Sequence, residues 1–172
     1  MIKCILLNSP ANSGKTVARS ALLESMPLLT EPLSFKDHLH ELVMKFFHVP
    51  EDDYWHIYHT RNLKEAPNEY FRVSYKAYAN NRAISFFEDL YHSIHVRRYN
   101  RDNDTICFSL RESMIYLSEN ICKPVFGDAY FGEVAATKMI SDVTYLEDSC
   151  GFKSELHPVI QKLGQENILL IR

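Results

Sequence analysis

The strongest constraint on this fold sits at the start of the chain. There the apolar run Cys4-Ile5-Leu6-Leu7 breaks into Ser9-Pro10-Ala11-Asn12-Ser13-Gly14-Lys15-Thr16. From Lys15 to about Met26, apolar residues return at helical spacing through Val17, Ala21 and Leu22, and Pro27 ends the pattern. Residues 2–8 suit a short strand buried on both faces, as in a parallel sheet. A strand that becomes a helix through a glycine, a lysine and a hydroxyl is a place for an anion. Backbone N–H groups can point inward there, and a helix N-terminus carries partial positive charge.

The eight residues follow the pattern G-x-x-x-x-G-K-[ST], with only the first glycine replaced, by Ser9. In such a loop the backbone of Ser9, Asn12, Ser13, Gly14, Lys15, Thr16 and Val17 cradles phosphate oxygens. Lys15 neutralises the β/γ-phosphates, and the Thr16 hydroxyl holds Mg²⁺. Gly14 is expected because a side chain would obstruct close approach of the backbone to phosphate. The competing reading, a helix capped by Ser13 with a chance Gly-Lys-Thr, does not account for the preceding buried strand.

With 172 residues the chain is long enough for one domain with a real core. A composition of 46% hydrophobic and 24% charged residues excludes a disordered chain. A net charge of −3 gives no global attraction to nucleic acid, so any polyanion site must be local. Cys4, Cys107, Cys122 and Cys150 are scattered and form no C-x-x-C pair, which reads as reduced, buried thiols in a cytoplasmic protein. No apolar run approaches the roughly 18 residues of a membrane span, and no targeting peptide is evident.

Further along, "LLTEPLSF" reads as a loop or short strand, and "KDHLHELVMKFFHV" as an amphipathic helix presenting Leu39, Leu42, Val43, Phe46 and Phe47. Pro50 and the acidic Glu51-Asp52-Asp53 are expected to end it. Residues 54–105 read as irregular structure with one or two helices, the best over 75–92. Ser109 and Glu112 form a capping box opening a helix to about Asn120. A helix is expected over 128–138, strands over "ISDVTYLED" and "NILLIR", and between them a short helix closed by Gly164. That order implies a parallel sheet covered on both faces.

With the loop located, the chain resembles the bacteriophage deoxynucleoside monophosphate kinases, a branch of the P-loop nucleotide kinases. "SFKDHLHELVMKFFHVPED" lies in the place of the family's F-A-x-P-L-K motif, with Phe35 and Leu39 matching. Lys36 and His38 stand for its alanine and proline, and His40 for its lysine. "LKEAP" resembles K-E-x-P through Lys64, Glu65 and Pro67. "SLRESMIYLSENICKPVFGDAYFGEVA" resembles the segment S-x-R-x-x-x-Q-x-L-G-T and the following helix, through Ser109, Arg111, Leu117, Phe126, Gly127 and Tyr130. "LEDSCGFKSEL" resembles D-x-R-F-x-x-E, with Phe152 and Glu155 matching, Asp148 or Ser149 for the aspartate, and Gly151 at the arginine position. Residues 70–106 find no counterpart and look like an insertion. The family's basic lid and last strand would follow "NILLIR".

The resemblance implies a single α/β domain over 1–172, a three-layer sandwich with a short parallel sheet of order 2-3-1-4. The implied activity is transfer of the γ-phosphate of ATP to a deoxynucleoside 5′-monophosphate, with Mg²⁺, in the cytoplasm (the host's, for a phage protein). Lys15, Arg111 and Asp148 are then catalytic; Lys36, His40 and Arg111 bind the acceptor; Thr16 and Asp148 hold the metal. Asp142 and Glu147 compete with Asp148. Arg97, Arg98 and Arg101 read as a lid or as a solvated loop balanced by Asp102 and Asp104.

Two other readings compete. One is a kinase acting on a hydroxymethylated base in DNA, with those arginines and Tyr99 on the strand. The other is a degenerate kinase kept as a binding or inhibitory protein. The pairs His56/His59 and His92/His95 lack a third ligand for zinc. Of the rings Tyr54, Trp55, Tyr58, Tyr70, Phe71, Tyr75 and Tyr78, most are expected in the core, with at most one against a base.

Overall fold

Cys4–Leu7 (β1) is apolar at all four positions, and in the computed structural model all four are buried. The structure describes residues 2–8, 14–26, 30–74, 99–100, 105–140, 143–147 and 153–171. Among these, β1 pairs in parallel with Thr144–Glu147 (β6) on one side and Ile168–Ile171 (β7) on the other. β6 in turn pairs in parallel with Thr30–Leu33 (β2). The sheet order β2-β6-β1-β7 is the expected 2-3-1-4.

The chain divides into two compact units, Met1–His38 with Phe126–Arg172, and Leu39–Val125. The first unit holds this parallel sheet and is α/β, its sheet flanked by helices. Lys15–Ser25 (α1) lays Leu22, Leu23 and Met26 on Ile5, Leu7 and Leu146. Cys4 and Leu6, which alternation turns to the other face, are equally buried, so β1 is covered on both sides.

Two further helices of this unit, Tyr130–Lys138 (α7) and Lys153–Leu163 (α8), meet at Gly132. A Cβ built there would lie inside the Glu155 carbonyl, so only hydrogen fits between the two backbones. The Lys162 ammonium donates to the Ala136 carbonyl in the last turn of α7. Gly164 ends α8 at φ 83°, as expected of a glycine closing that helix. Tyr145 pins the α7–β6 connection, its Oη accepting from Ile140 N–H at 2.9 Å.

The second unit carries most of Asp37–Phe47 (α2), then Glu51–His59 (α3), Arg61–Glu65 (α4) and a three-stranded antiparallel sheet. The strands of that sheet are Pro67–Ser74 (β3), Tyr99–Asn100 (β4) and Thr105–Ser109 (β5), in the order β3-β5-β4. Glu51, Asp52 and Asp53 do not terminate α2. That helix ends at Phe47, with His48 left-handed at φ 53°, and the three carboxylates form the first turn of α3, where they complement its dipole. Nor are the described residues from 54 to 74 irregular: α3 and α4 are followed by β3, in which buried Phe71 and Val73 alternate with exposed Tyr70, Arg72 and Ser74, a period of two.

The expected capping box is present. Ser109 Oγ accepts from Glu112 N–H, and the Glu112 carboxylate accepts from Ser109 N–H at 2.7 Å, opening Leu110–Ile115 (α5). The helix then widens into a π segment, Tyr116–Cys122, before Lys123–Phe126 (α6). Five of the seven π residues (Tyr116, Leu117, Ser118, Asn120 and Cys122) are buried, more than one stripe of an α-helix would place inside. The expected helix over 75–92 lies outside the described residues. No described helix is long and apolar enough to cross a membrane.

Candidate functional site

At the carboxyl end of β1 the chain passes through residues 9–13, which lie outside the described residues, to Gly14. Gly14 is the N-cap of α1 and sits in the left-handed region at φ 84°, ψ 15°. A Cβ at Gly14 would meet no protein atom within 4 Å, so the glycine serves the backbone conformation and not a close approach of protein groups. The left-handed turn by itself favours glycine, a backbone reason separate from the expected approach of phosphate. The N-cap, being glycine, brings no side chain to cap α1, and the first turn holds no acidic residue. The partial positive charge of that helix end is therefore not met by a carboxylate of its own.

Lys15 is the first residue of α1 and is half-buried, while Val17 is 74% exposed and can contribute only its backbone. The Thr16 side chain, like Ser9, Asn12 and Ser13, lies outside what is described. Register places Glu147 between Leu6 and Leu33 at the carboxyl ends of their strands. Asp148, the next residue, is outside the described set, as are Asp142, Gly151, Arg97, Arg98 and Arg101.

The same edge holds residues that sequence reasoning did not connect. After β2, Ser34 N–H donates to Asp37 Oδ2 at 3.0 Å, and α2 begins at Asp37. Lys36 therefore precedes the helix expected to carry it; it is exposed, with its N–H donating to Ser34 Oγ. One residue into α2, His38 Nε2 is hydrogen-bonded to Tyr130 Oη at 2.9 Å. Phe126 stacks on Tyr130 with centroids 4.6 Å apart and planes 21° from parallel. The resemblance singled out Phe126, Tyr130 and His38 as motif positions, but nothing in the sequence joined His38 to the two aromatics.

The other expected residues belong to the second unit. Arg111, the second residue of α5, pairs with Glu65 Oε1 at 3.1 Å, and both side chains are largely exposed. His40 is not open to solvent. It is 6% exposed, hydrogen-bonded through Nδ1 to Tyr54 Oη at 2.6 Å, and packed edge-on against Tyr58 at 4.7 Å. Lys64 lies over the Tyr58 ring at 3.7 Å.

Burial, and then neighbouring Tyr58, push the Tyr54 hydroxyl well above the ordinary phenol range. A raised native pKa stabilises the fold below the unfolded value near 10.0 and ceases to do so as pH climbs beyond it. Urea midpoints are thus expected to fall from about pH 10 upward, and Tyr54→Phe is expected to flatten that fall. An unchanged slope in the variant would show that Tyr54 titrates like a surface phenol.

Burial also raises the Cys122 thiol, and Cys4 is buried, as expected of unreactive thiols. Cys107 is only half-buried, its thiol donating to Glu69. Cys150 lies outside the described residues. Among the described residues, no three His, Cys, Asp or Glu side chains are grouped to hold a metal. Searches of protein-family models, of curated proteins and of solved structures found no match to this chain.

Proposed function

We propose that this chain is a P-loop kinase that moves the γ-phosphoryl group of ATP to a deoxynucleoside 5′-monophosphate. One observation carries the reading: a central, doubly covered parallel strand leads into Gly14-Lys15-Thr16, with Gly14 left-handed at a helix start whose first turn holds no acidic residue. That junction offers N–H groups, a helix dipole and an ammonium to an anion, at the strand end where ligands of parallel sheets collect.

In the reaction an oxygen of the acceptor phosphate forms a bond to the γ-phosphorus, and the bond from that phosphorus to the β–γ bridging oxygen breaks, releasing ADP. No protein nucleophile is needed, and the chain's contribution is position and charge. The N–H groups at the start of α1 fix the donor phosphates, and the Lys15 ammonium neutralises charge that spreads over the oxygens in transit. Arg111 is suited to phosphate as well. Its exposed pair with Glu65 contributes at most about 1 kcal/mol, so a phosphate can draw the guanidinium away cheaply. Thr16 and Asp148 are the residues that would hold Mg²⁺, whose charge offsets that of the phosphates.

ATP with Mg²⁺ at 100 times its Kd is expected to stabilise the protein by about 2.7 kcal/mol, read as a rise in Tm, with adenosine giving none. The absence of a shift with any nucleoside triphosphate would refute the reading.

A further inference from the structure

We infer that Phe126 and Tyr130 form a stacking platform for the base of the nucleoside monophosphate, positioned by His38. The inference rests on the kinase reading for the choice of ligand, and on the cluster's geometry for its place. Phe126 is 57% exposed, although it is among the largest apolar side chains in the protein. One face of its ring is spent on Tyr130, at 4.6 Å and 21°. Its exposure is the kind of open π surface that every nucleobase can cover. A phenylalanine that merely filled space would be turned inward, as Phe131, five residues on and 3% exposed, is.

The platform is held in place. Tyr130 opens α7, and its hydroxyl is tied to His38 Nε2, so the ring is fastened at both ends. His38 in turn stands five residues beyond the carboxyl end of β2. β2 and β1 flank β6 in a sheet whose strands run the same way, so the platform's anchor and Gly14-Lys15 follow the same edge of the sheet. Two inter-strand steps separate β1 from β2, about 10 Å. An acceptor whose phosphate meets the donor's γ-phosphate near Lys15 extends its sugar and base away from that point, and the platform is the aromatic surface assigned to the base. The charge near it suits a nucleotide: exposed Lys36 precedes α2, and the carboxylate of Asp37 is engaged by Ser34 N–H. Gly127-Asp128 leaves one exposed carboxylate beside Phe126, available to an exocyclic amine or a sugar hydroxyl.

The test is calorimetric titration of the full chain with dGMP, dAMP, dCMP, dTMP and 2-deoxyribose 5-phosphate, repeated with Phe126→Ala and Tyr130→Phe. At least one of the four monophosphates is expected to bind the native protein tenfold or more tighter than the baseless sugar phosphate. Phe126→Ala is expected to remove that advantage, leaving ATP affinity within twofold and the circular dichroism unchanged. Tyr130→Phe keeps the ring and is expected to retain most of the affinity. Equal binding of the monophosphates to Phe126→Ala and the native protein would overturn the platform. So would a loss confined to ATP, which would make it a donor-base site, or no preference of the native protein for any monophosphate over the sugar phosphate. The kinase reading fails separately: monophosphate binding that depends on Phe126, without phosphoryl transfer, would refute transfer and keep the platform.

Discussion

Replacing Lys15 by alanine is expected to lower phosphoryl transfer by roughly a thousandfold or more while the protein stays folded. The residue opens α1, where alanine is the best helix former, so the helix is expected to survive the change. On the kinase reading the same change is expected to weaken ATP binding too, because a point charge beside the β/γ-phosphates would serve ground state and transition state together. The measurement is coupled-assay turnover with ATP and the preferred monophosphate, alongside thermal unfolding of the apo variant. Undiminished turnover would remove the kinase reading altogether. Lost turnover with a collapsed Tm would show that the lysine supports the fold instead.

The second large effect is expected far from that loop. Gly132→Ala places a methyl group where the Glu155 backbone carbonyl already sits, and backbone cannot rotate out of the way as a side chain can. The helices α7 and α8 must separate, at a cost of about 3 kcal/mol or more. For a chain of this length each kilocalorie is worth roughly 2–4 °C, so a Tm loss of order 10 °C is expected. Gly14→Ala is the contrasting case. Space is open around it, and the cost is the left-handed backbone alone, about 1–2 kcal/mol and local to the loop. If Gly132→Ala unfolds at the native temperature, the close helix crossing is not what holds this unit together.

The parts of the fold legible in the sequence were those written in local chemistry. Cys4–Leu7 is apolar without interruption, Ser109 and Glu112 stand three apart, and Gly164 follows a helical period; each states its structure within a few residues. The β3–β5 sheet was not legible, because its signal is split between residues 67–74 and 105–109 and lies in a stretch dominated by Tyr, His, Asn and Arg. The acidic triplet at 51–53 was ambiguous by nature, since carboxylates break one helix's pattern and favour the start of the next. At the candidate site, Gly14 and Lys15 announce themselves by spacing. The His38–Tyr130 bond joins residues 92 positions apart, and only the folded sheet brings them together. His40, prominent as a substitution in a motif, is engaged in packing a ring cluster that the linear order did not reveal.

The widened turns at Tyr116–Cys122 have a consequence for how this chain can vary in length. A π turn accommodates surplus residue within a helix, so everything beyond it is rotated relative to a regular α-helix by about 100° for each residue absorbed. Removing one residue, Glu119 for example, would let the coil tighten to α geometry with Cys122 still on its buried side, whereas a deletion within a regular α-helix would turn everything beyond it by that angle. The segment works like a vernier, able to give up a residue that a regular helix could not lose without changing its phase.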